Sequence, residues 1–161
     1  MRKFERISKN IFLRDIPNGN YSDIILPKRS TKNSAGYDFY SLYDIIIKPN
    51  EIVKIPTGIK VCMNDNEFLG IYIRSSLGFK YNLRMCNQVG IIDADYYDNK
   101  DNEGHIFVCL QNESDKDVVI KKGDRFVQGI FMPYLITDDD ITNGTRNGGI
   151  GSTNEGENDY E

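Results

Sequence analysis

The stretch NQVGIIDADYYDN, residues 87–99, joins a short apolar strand to a pair of carboxylates and two aromatic rings. Its VGII run has the composition of a buried strand, and Gly90 allows close approach of another backbone. Asp93 and Asp95 follow two residues apart, so in an extended chain their side chains point to the same face. Two like charges this close cost free energy unless water, a cation or hydrogen-bond donors compensate. Taken alone, the stretch is explained equally well by a turn with aspartate as turn former.

The whole chain is expected to form one domain of ordinary size, since 161 residues with 39% hydrophobic composition can enclose a core. With 24 acidic residues against 20 basic ones, it lacks the charge footprint of a duplex-binding protein, and we expect no nucleic-acid partner. No apolar run approaches the length of a membrane span, and we expect no membrane partner. The N-terminal MRKFERISKN is not followed by an apolar segment long enough for a secretory signal.

The three cysteines indicate a reducing compartment. Cys62, Cys86 and Cys109 form no CxxC pair, and His105 is the only histidine, so a zinc site is not predicted. The odd count and the lack of a signal favour free thiols in the cytoplasm, or in the host cytosol or nucleus for a viral or phage protein. Their apolar neighbours predict that the three thiols pack in the core.

Short runs rich in Val, Ile, Phe and Tyr recur along the chain and are bounded by turn residues every 8–12 positions. This pattern predicts an all-β sandwich or barrel with little helix. A helical period is nowhere sustained, and at most one helical turn is expected around residues 75–80. FERISKNIFLRDI, residues 4–16, is expected to be a strand or an irregular edge.

The composition changes near Thr137, where Gly, Asn, Asp and Thr replace the apolar residues. We therefore divide the chain into a catalytic β domain, residues 1–136, and a flexible C-terminal arm, residues 137–161. The competing interpretation of the arm is a phosphate loop, in which successive amides of GGIGST cradle an anion beside Arg146. A Gly-rich segment alone does not decide between these alternatives.

Five segments carry side chains suited to chemistry. They are AGYDFYS (35–41), RSSLG (74–78), NQVGIIDADY (87–96), GDRFVQ (123–128) and RNGGIGST (146–153). In this order and at this spacing they resemble the five motifs of the trimeric dUTPase family, and the resemblance covers most of the chain. It implies a jelly-roll-like β-barrel of the dUTPase β-clip type and a homotrimer with active sites at the subunit interfaces. It also implies Mg²⁺-dependent hydrolysis of dUTP to dUMP and pyrophosphate, with the arm closing over a site built by the other two chains.

The third motif supplies the implied catalytic residue. Cleavage between the α- and β-phosphates needs an in-line water, and an ionised carboxylate within hydrogen-bond reach can orient and deprotonate it. By resemblance that base is Asp93, with Asp95 in support. Tyr96 matches the family tyrosine that packs on the deoxyribose and leaves no room for a 2′-hydroxyl. Asn87 and the strand backbone at Gly90 and Ile92 match the segment that binds the uracil edge, where cytosine presents the reverse donor–acceptor pattern.

The remaining motifs are implied to bind phosphate and metal. The implied phosphate ligands are Arg74, Ser75, Ser76 and Gln128, with Arg146, Ile150, Gly151 and Ser152 binding substrate from the arm. A guanidinium suits phosphate because it donates in a planar fork. Asp38 resembles the aspartate that holds Mg²⁺ through water, since Mg²⁺ keeps several waters and takes phosphate oxygens directly. Arg125 is expected to pair with an acid.

Two stretches depart from the family pattern. The fifth motif is usually R-x-x-GGFGSTG, whereas this chain lacks one residue after Arg146, has Ile150 in place of the stacking Phe and ends in Asn154. An isoleucine can cover uracil but cannot stack on it, which forgoes about 1 kcal/mol. The second departure is YYDNKDNEGH, residues 96–105, which is longer than the usual turn. It is expected to be a solvated hairpin excursion with Tyr97 and His105 at the surface.

Two other functions on the same fold stay open at this point. A dCTP deaminase would need a glutamate base beside the pyrimidine 4-position, which no motif clearly supplies. A nucleotide-binding regulatory module would tolerate loss of Asp93, which is present. An unrelated β-sandwich is the remaining structural alternative.

Overall fold

The computed structural model describes residues 1–146, 148 and 149. Over these residues the chain forms twelve strands and two seven-residue α-helices, so the prediction of an all-β fold with little helix is confirmed. The strands are β1 (Lys3–Arg6), β2 (Lys28–Arg29), β3 (Tyr37–Tyr40), β4 (Ile45–Ile47), β5 (Ile52–Pro56), β6 (Ile59–Cys62), β7 (Glu67–Ile73), β8 (Leu83–Met85), β9 (Gly90–Asp93), β10 (Phe107–Asn112), β11 (Val118–Ile120) and β12 (Arg125–Pro133). The helices are α1 (Lys9–Asp15) and α2 (Ser75–Tyr81), and neither is long enough to cross a bilayer. Single 3₁₀ turns lie at Tyr21–Asp23 and Ala94–Tyr96.

Antiparallel pairing joins the strands into four sheets. The largest has the order β2-β3-β12-β7-β9, and the others pair β5-β10-β8, β1-β6 and β4-β11. In the part of the chain that the structure describes, no single sheet closes on itself as a barrel. The sheets instead enclose one core, which contains Phe12, Phe39 and Phe126. β9 lies at one edge of the largest sheet.

The strands form where apolar residues alternate with polar or exposed ones. In β10 every second residue is buried, and in β4 Ile45 and Ile47 are buried while Ile46 faces solvent. In these strands the two-residue period places one face on the core, as the sequence pattern predicts.

Helix α1 corrects the expectation of a strand or irregular edge in residues 4–16. Only the first part is a strand. Ser8 then caps the helix by accepting a hydrogen bond from the Ile11 amide at 3.3 Å. Phe12 is fully buried and docks the helix on the core. Serine is a favoured N-cap, and two turns are too short to display a helical period.

Helix α2 confirms the predicted helical turn and extends it to Tyr81. It ends at Asn82, which adopts the left-handed conformation at φ 51°. Asparagine tolerates that region better than most residues and is a common helix terminator.

The segment after Tyr96 is not the solvated excursion that its composition suggests. Asn99, Asn102 and His105 are buried, and Tyr97 is half-buried with its hydroxyl on Glu5. The expectation of a surface position is therefore wrong for His105, whereas Tyr97 keeps part of its side chain at the surface. Asparagine side chains can bond backbone groups inside a compact turn, so a polar segment need not be solvated.

The cysteines are also less buried than expected. Cys62, Cys86 and Cys109 are free thiols of intermediate exposure rather than core residues. Each lies on or next to a strand, where the alternation of faces turns it away from the fully buried positions.

Candidate active site

Asp93 is placed by the pairing of β9 with β7. The register runs from Gly90 opposite Ile71 to Asp93 opposite Phe68. A Cβ at Gly90 would lie 3.2 Å from the Ile71 Cβ, so glycine permits this close approach. The carboxylate of Asp93 emerges at the strand end with about half of its side chain exposed, 51%. A reacting water and a phosphate can therefore reach it.

A cavity of about 500 Å³ lies beside β9. Its wall is mostly apolar, with a few polar groups. Six predicted site residues line it: Asn87, Gly90, Ile92, Asp93, Tyr96 and Arg146. Small-molecule sites have this size and character. The structure therefore brings the predicted base, sugar contact and uracil segment together.

Tyr96 forms a fixed wall of this cavity. Tyr96 is 6% exposed, and its hydroxyl donates to the His105 carbonyl at 2.9 Å and accepts from the Asn102 side-chain nitrogen at 2.8 Å. Burial raises the pKa of this hydroxyl above its usual value. The phenol is therefore neutral at physiological pH and acts here as a hydrogen-bonded surface rather than as an acid.

Arg146 of the arm lies against both acids of the third motif. Its Nη2 is 2.6 Å from Asp93 Oδ2 and its Nε is 2.8 Å from Asp95 Oδ1. The guanidinium carbon is 5.8 Å from the centre of the Tyr96 ring. A single cation thus compensates the two neighbouring carboxylates. The predicted arm residues Ile150, Gly151 and Ser152 lie outside the described residues.

A second cluster forms around Asp38, which is 5% exposed. Asp38 Oδ1 is 3.0 Å from Arg74 Nε, and Oδ2 accepts from Ser30 Oγ at 2.7 Å and Arg125 Nη1 at 3.2 Å. The prediction that Arg125 pairs with an acid is confirmed. A β-bulge in β12 between Arg125 and Val127 accompanies this arrangement. The buried carboxylate holds two guanidiniums at the end of the sheet.

The second cluster borders a smaller cavity of about 240 Å³, whose lining includes Arg74, Ser76 and Arg125. Ser75 and Ser76 open α2 and are exposed. Two guanidiniums and serine hydroxyls are donors that suit phosphate oxygens.

Gln128 lies on β12 opposite Asp38 on β3. A side chain at Gly36 would collide with the Gln128 amide. The Ala-Gly step of the first motif therefore leaves room for the glutamine of the fourth.

Among the residues that the structure describes, none lines both cavities. Asp93 is opposite Phe68 on β7, and Arg74 follows six residues further along the same strand direction. At about 3.3 Å per residue this is roughly 20 Å. The predicted residues are thus gathered into two groups within one chain, and not into a single site.

The described residues contain no group of three or more His, Cys, Asp or Glu side chains arranged to hold a metal ion. Asp38 fits a water-mediated role only. Its Oδ1 forms an ion pair with Arg74 Nε at 3.0 Å and keeps capacity to accept from a water, while its burial opposes direct coordination. A metal at this site would need most of its ligands from waters and from a bound phosphate chain.

Sequence reasoning missed several residues at or behind the wall of the larger cavity. Asn102 holds the Tyr96 hydroxyl, and Lys54 and Phe107 face the cavity, where the Lys54 ammonium lies 4.6 Å from the Phe107 ring centre. Asn102 carried only the signal of a turn former, and Lys54 lies in a strand whose pattern suggested packing alone.

Comparison with known proteins places this geometry in a family. The model of the dUTPase family matches residues 22–156. A deoxyuridine 5′-triphosphate nucleotidohydrolase of Lactococcus lactis is 50% identical over 132 residues, covering 81% of this chain and 88% of that protein. The dUTPase of Streptococcus mutans superposes with a TM-score of 0.71 at 41% identity, covering 84% of this chain and 98% of that one. A dUTPase mutant from phage phi11 of Staphylococcus aureus, whose structure concerns the coordination of a structural Mg(II) ion, has a TM-score of 0.67 at 18% identity and covers 89% of this chain and 97% of its own.

Proposed function

The chain belongs to the dUTPase family, and from that premise we propose that it hydrolyses dUTP to dUMP and pyrophosphate by in-line attack of water at the α-phosphorus. The observation that carries this proposal is the half-exposed carboxylate of Asp93, set at the rim of a nucleoside-sized cavity next to Tyr96. The jelly-roll-like fold of the family agrees with the all-β architecture.

In this mechanism Asp93 accepts a proton from the attacking water as the bond to phosphorus forms. The bond between the α-phosphorus and the bridging oxygen breaks, and pyrophosphate leaves with the electron pair. A positioned carboxylate base contributes about 10²–10⁴-fold to such a step. In this structure Arg146 Nη2 donates a hydrogen bond to Asp93 Oδ2. When a triphosphate binds, the guanidinium is expected to bind the phosphate oxygens instead, which leaves Asp93 Oδ2 available to accept from the attacking water.

The edge position of β9 supports recognition of uracil by backbone groups. In the described part of the chain β9 pairs only with β7, so alternate amides and carbonyls face away from the sheet, toward the cavity that Gly90 and Ile92 line. Fixed backbone donors and acceptors reject a base with the reverse pattern strongly, because a mismatch leaves polar groups unpaired. Asn87 adds one donor and one acceptor at the same wall.

The separation of the two clusters supports a site shared between chains. The backbone at Arg74 lies roughly 20 Å along the sheet from the backbone at Asp93, and the described residues around them line different cavities. A second copy must then supply the phosphate-binding cluster, and we propose the homotrimer of the family as the assembly. The described arm contacts Asp93 of its own chain, and its closure over a site of two other chains stays a prediction.

We also propose that the reaction uses Mg²⁺, held by the phosphate chain and, through water, by Asp38. The ion would neutralise charge on the phosphate oxygens. Removal of the ion with EDTA is then expected to abolish turnover of dUTP and to leave the thermal stability of the nucleotide-free protein unchanged.

A cytosolic location is proposed from the three free thiols. Cys86 and Cys109 line the larger cavity, and burial together with the Cys109 side chain raises the pKa of Cys86 to about 11. A reducing compartment preserves such a pair as thiols.

The rival activity is deamination of dCTP. The described residues that line the larger cavity include no glutamate to act as its base. Incubation with dUTP, dCTP and UTP separates the alternatives. Pyrophosphate from dUTP alone supports the proposal, ammonia from dCTP supports a deaminase, and no turnover supports a regulatory binding module.

Asp93→Asn tests the assignment of the base. We expect nucleotide affinity to stay within a few-fold and kcat to fall by about 10²–10⁴-fold, since the amide keeps the shape of the carboxylate but cannot take the proton. Asp95→Asn is the matched control, because it removes the other carboxylate that Arg146 contacts. A control variant as impaired as Asp93→Asn, or an Asp93→Asn protein with parental kcat, contradicts the assignment.

A further inference from the structure

The segment after Tyr96 builds a buried polar cluster around the hydroxyl of that tyrosine. We call Asn99 and Asn102 the asparagine pair. They are 8% and 6% exposed, although both lie in a polar loop. Buried amides are rarely left without a structural task, because each unpaired polar group costs about 1–3 kcal/mol.

The asparagine pair is fully bonded to its own loop. Asn99 Oδ1 accepts from the amides of Asp101 at 3.0 Å and Asn102 at 3.1 Å. Asn102 Oδ1 accepts from Asn99 Nδ2 at 2.8 Å and from the Gly104 amide at 3.0 Å. These bonds leave Asn102 Nδ2 pointing at the Tyr96 hydroxyl, 2.8 Å away. The hydrogen bonds within the loop therefore fix the orientation of the Asn102 side-chain amide.

The loop is in turn anchored to the rest of the protein through His105. The Gly58 amide donates to His105 Nε2 at 2.9 Å, so Nδ1 carries the proton and donates to Asp15 Oδ2 at 2.6 Å. The same residue's carbonyl accepts from Tyr96. The tyrosine hydroxyl is thus held from two sides by groups that cannot move independently of the core.

We propose that Asn102 is a positioning residue that sets the discrimination between deoxyribonucleotide and ribonucleotide. The proposal rests on the function proposed above and on the role that the family resemblance implies for Tyr96, whose ring leaves no room for a 2′-hydroxyl. A ring excludes one extra oxygen only if it is held to within a fraction of an ångström, and the Asn102 and His105 bonds define its position. Asn102 lines neither cavity and acts through Tyr96.

The experiment measures the ratio of kcat/KM for dUTP to that for UTP in the full-length protein. For Asn102→Ala we expect the ratio to fall about tenfold, the scale of one lost hydrogen bond, chiefly through better use of UTP. Tyr96→Phe keeps the ring and loses the hydroxyl, and it should give a similar fall. Asn66→Ala, at an exposed asparagine, is the control and should leave the ratio unchanged.

The double variant makes the test specific. If Asn102 acts through the Tyr96 hydroxyl, Asn102→Ala combined with Tyr96→Phe lowers the ratio no further than either change alone. Additive losses, or a ratio within twofold of the parent in Asn102→Ala, overturn the proposal. Should Asn102→Ala fail to fold, an unchanged ratio in Tyr96→Phe overturns it in the same way.

Calorimetric binding of dUMP and UMP gives a readout that does not need turnover. The parent should bind dUMP more tightly than UMP, and in Asn102→Ala the ratio of the two dissociation constants should shrink about tenfold. Loss of preference in a chain without dUTP turnover would reject the proposed hydrolysis but keep the positioning role. Equal binding of dUMP and UMP by a parent that turns over dUTP would reject the positioning role alone.

Discussion

At the scale of single residues, His105 ties the loop behind Tyr96 to helix α1. Its ring is fully buried and faces Asp15 and Arg14 of α1 and Glu103 of its own loop. Burial holds the pKa of His105 below its usual value, although the hydrogen bond to Asp15 acts in the opposite direction. The neutral imidazole with a protonated Nδ1 is therefore the form that the fold selects.

This preference predicts a dependence of stability on pH. Below about pH 6.5 the unfolded chain takes up a proton at His105 that the folded chain does not, so stability is full above that pH and falls as pH drops toward the lower pKa of the folded state. Against the effect of burial, hydrogen bonds also lower the pKa values of Asp15 and Glu103. These two carboxylates change the stability only at a more acidic pH than His105 does, where they begin to take up protons.

Urea unfolding at a series of pH values from 7.5 to 5.5 checks the prediction. We expect the midpoint to fall with pH in the parent, and His105→Gln to lose most of that slope because it has no proton to take up. A parental midpoint that is flat across this range, or an equal slope in His105→Gln, would show that another group titrates.

The site residues that were predicted from sequence are those whose role depends on their own chemistry. Asp93, Tyr96 and Asn87 stand in a motif, and the structure places all three at one cavity. Asn102 and His105 were not found, because their role depends on what lies behind them. A lone histidine and an asparagine in a polar segment carry the same local pattern whether they are buried or solvated.

At the scale of elements, the loop behind Tyr96 owes its shape to one glycine. Gly104 has φ +81°, and a Cβ there would lie 2.6 Å from the Tyr96 carbonyl oxygen. Gly123 has nearly the same φ, +83°, but a Cβ there would have no atom of the described residues within 4 Å. A side chain at Gly123 would therefore meet backbone strain alone, whereas a side chain at Gly104 would meet backbone strain and a steric clash.

Alanine at the two glycines should therefore have different effects. Gly123→Ala is expected to cost about 1 kcal/mol, the strain of a left-handed alanine. Gly104→Ala should cost at least about 2 kcal/mol more, because the backbone of Tyr96 has to move as well. Urea denaturation of both variants measures the difference. Equal destabilisation by the two changes would mean that the Tyr96 backbone moves away from the new methyl group at no cost in free energy.

Sequence patterns predicted the strands better than the helix. Strand β10 alternates over six residues, enough for a period of two to be recognised, and β12 is a nine-residue run rich in apolar residues. Helix α1 has seven residues, and its identity depends on the Ser8 cap and on Phe12 meeting the core. Tertiary contact decided that element, and such contact is absent from any local window.

At the scale of the whole molecule, the candidate site residues form two separate clusters near different ends of β7, which we call half-sites of the proposed reaction. One contains Asp93 and the nucleoside cavity, and the other contains Arg74 with its buried partner Asp38. The rigid sheet between them fixes their separation, so no side-chain rearrangement can unite them. If each nucleotide needs both halves, the active unit must be an assembly.

Mixing two inactive variants tests this conclusion. Asp93→Asn lacks one half-site and Arg74→Gln impairs the other, and each alone should be nearly inactive. When equal amounts are unfolded together and refolded, a site that draws its halves from different chains is intact in about one quarter of random combinations, so about a quarter of parental activity should return. Sites contained within one chain would give no recovery beyond the sum of the two variants. Because both outcomes are read in the same assay, with refolded parent as the reference, a refolding loss cannot be mistaken for either.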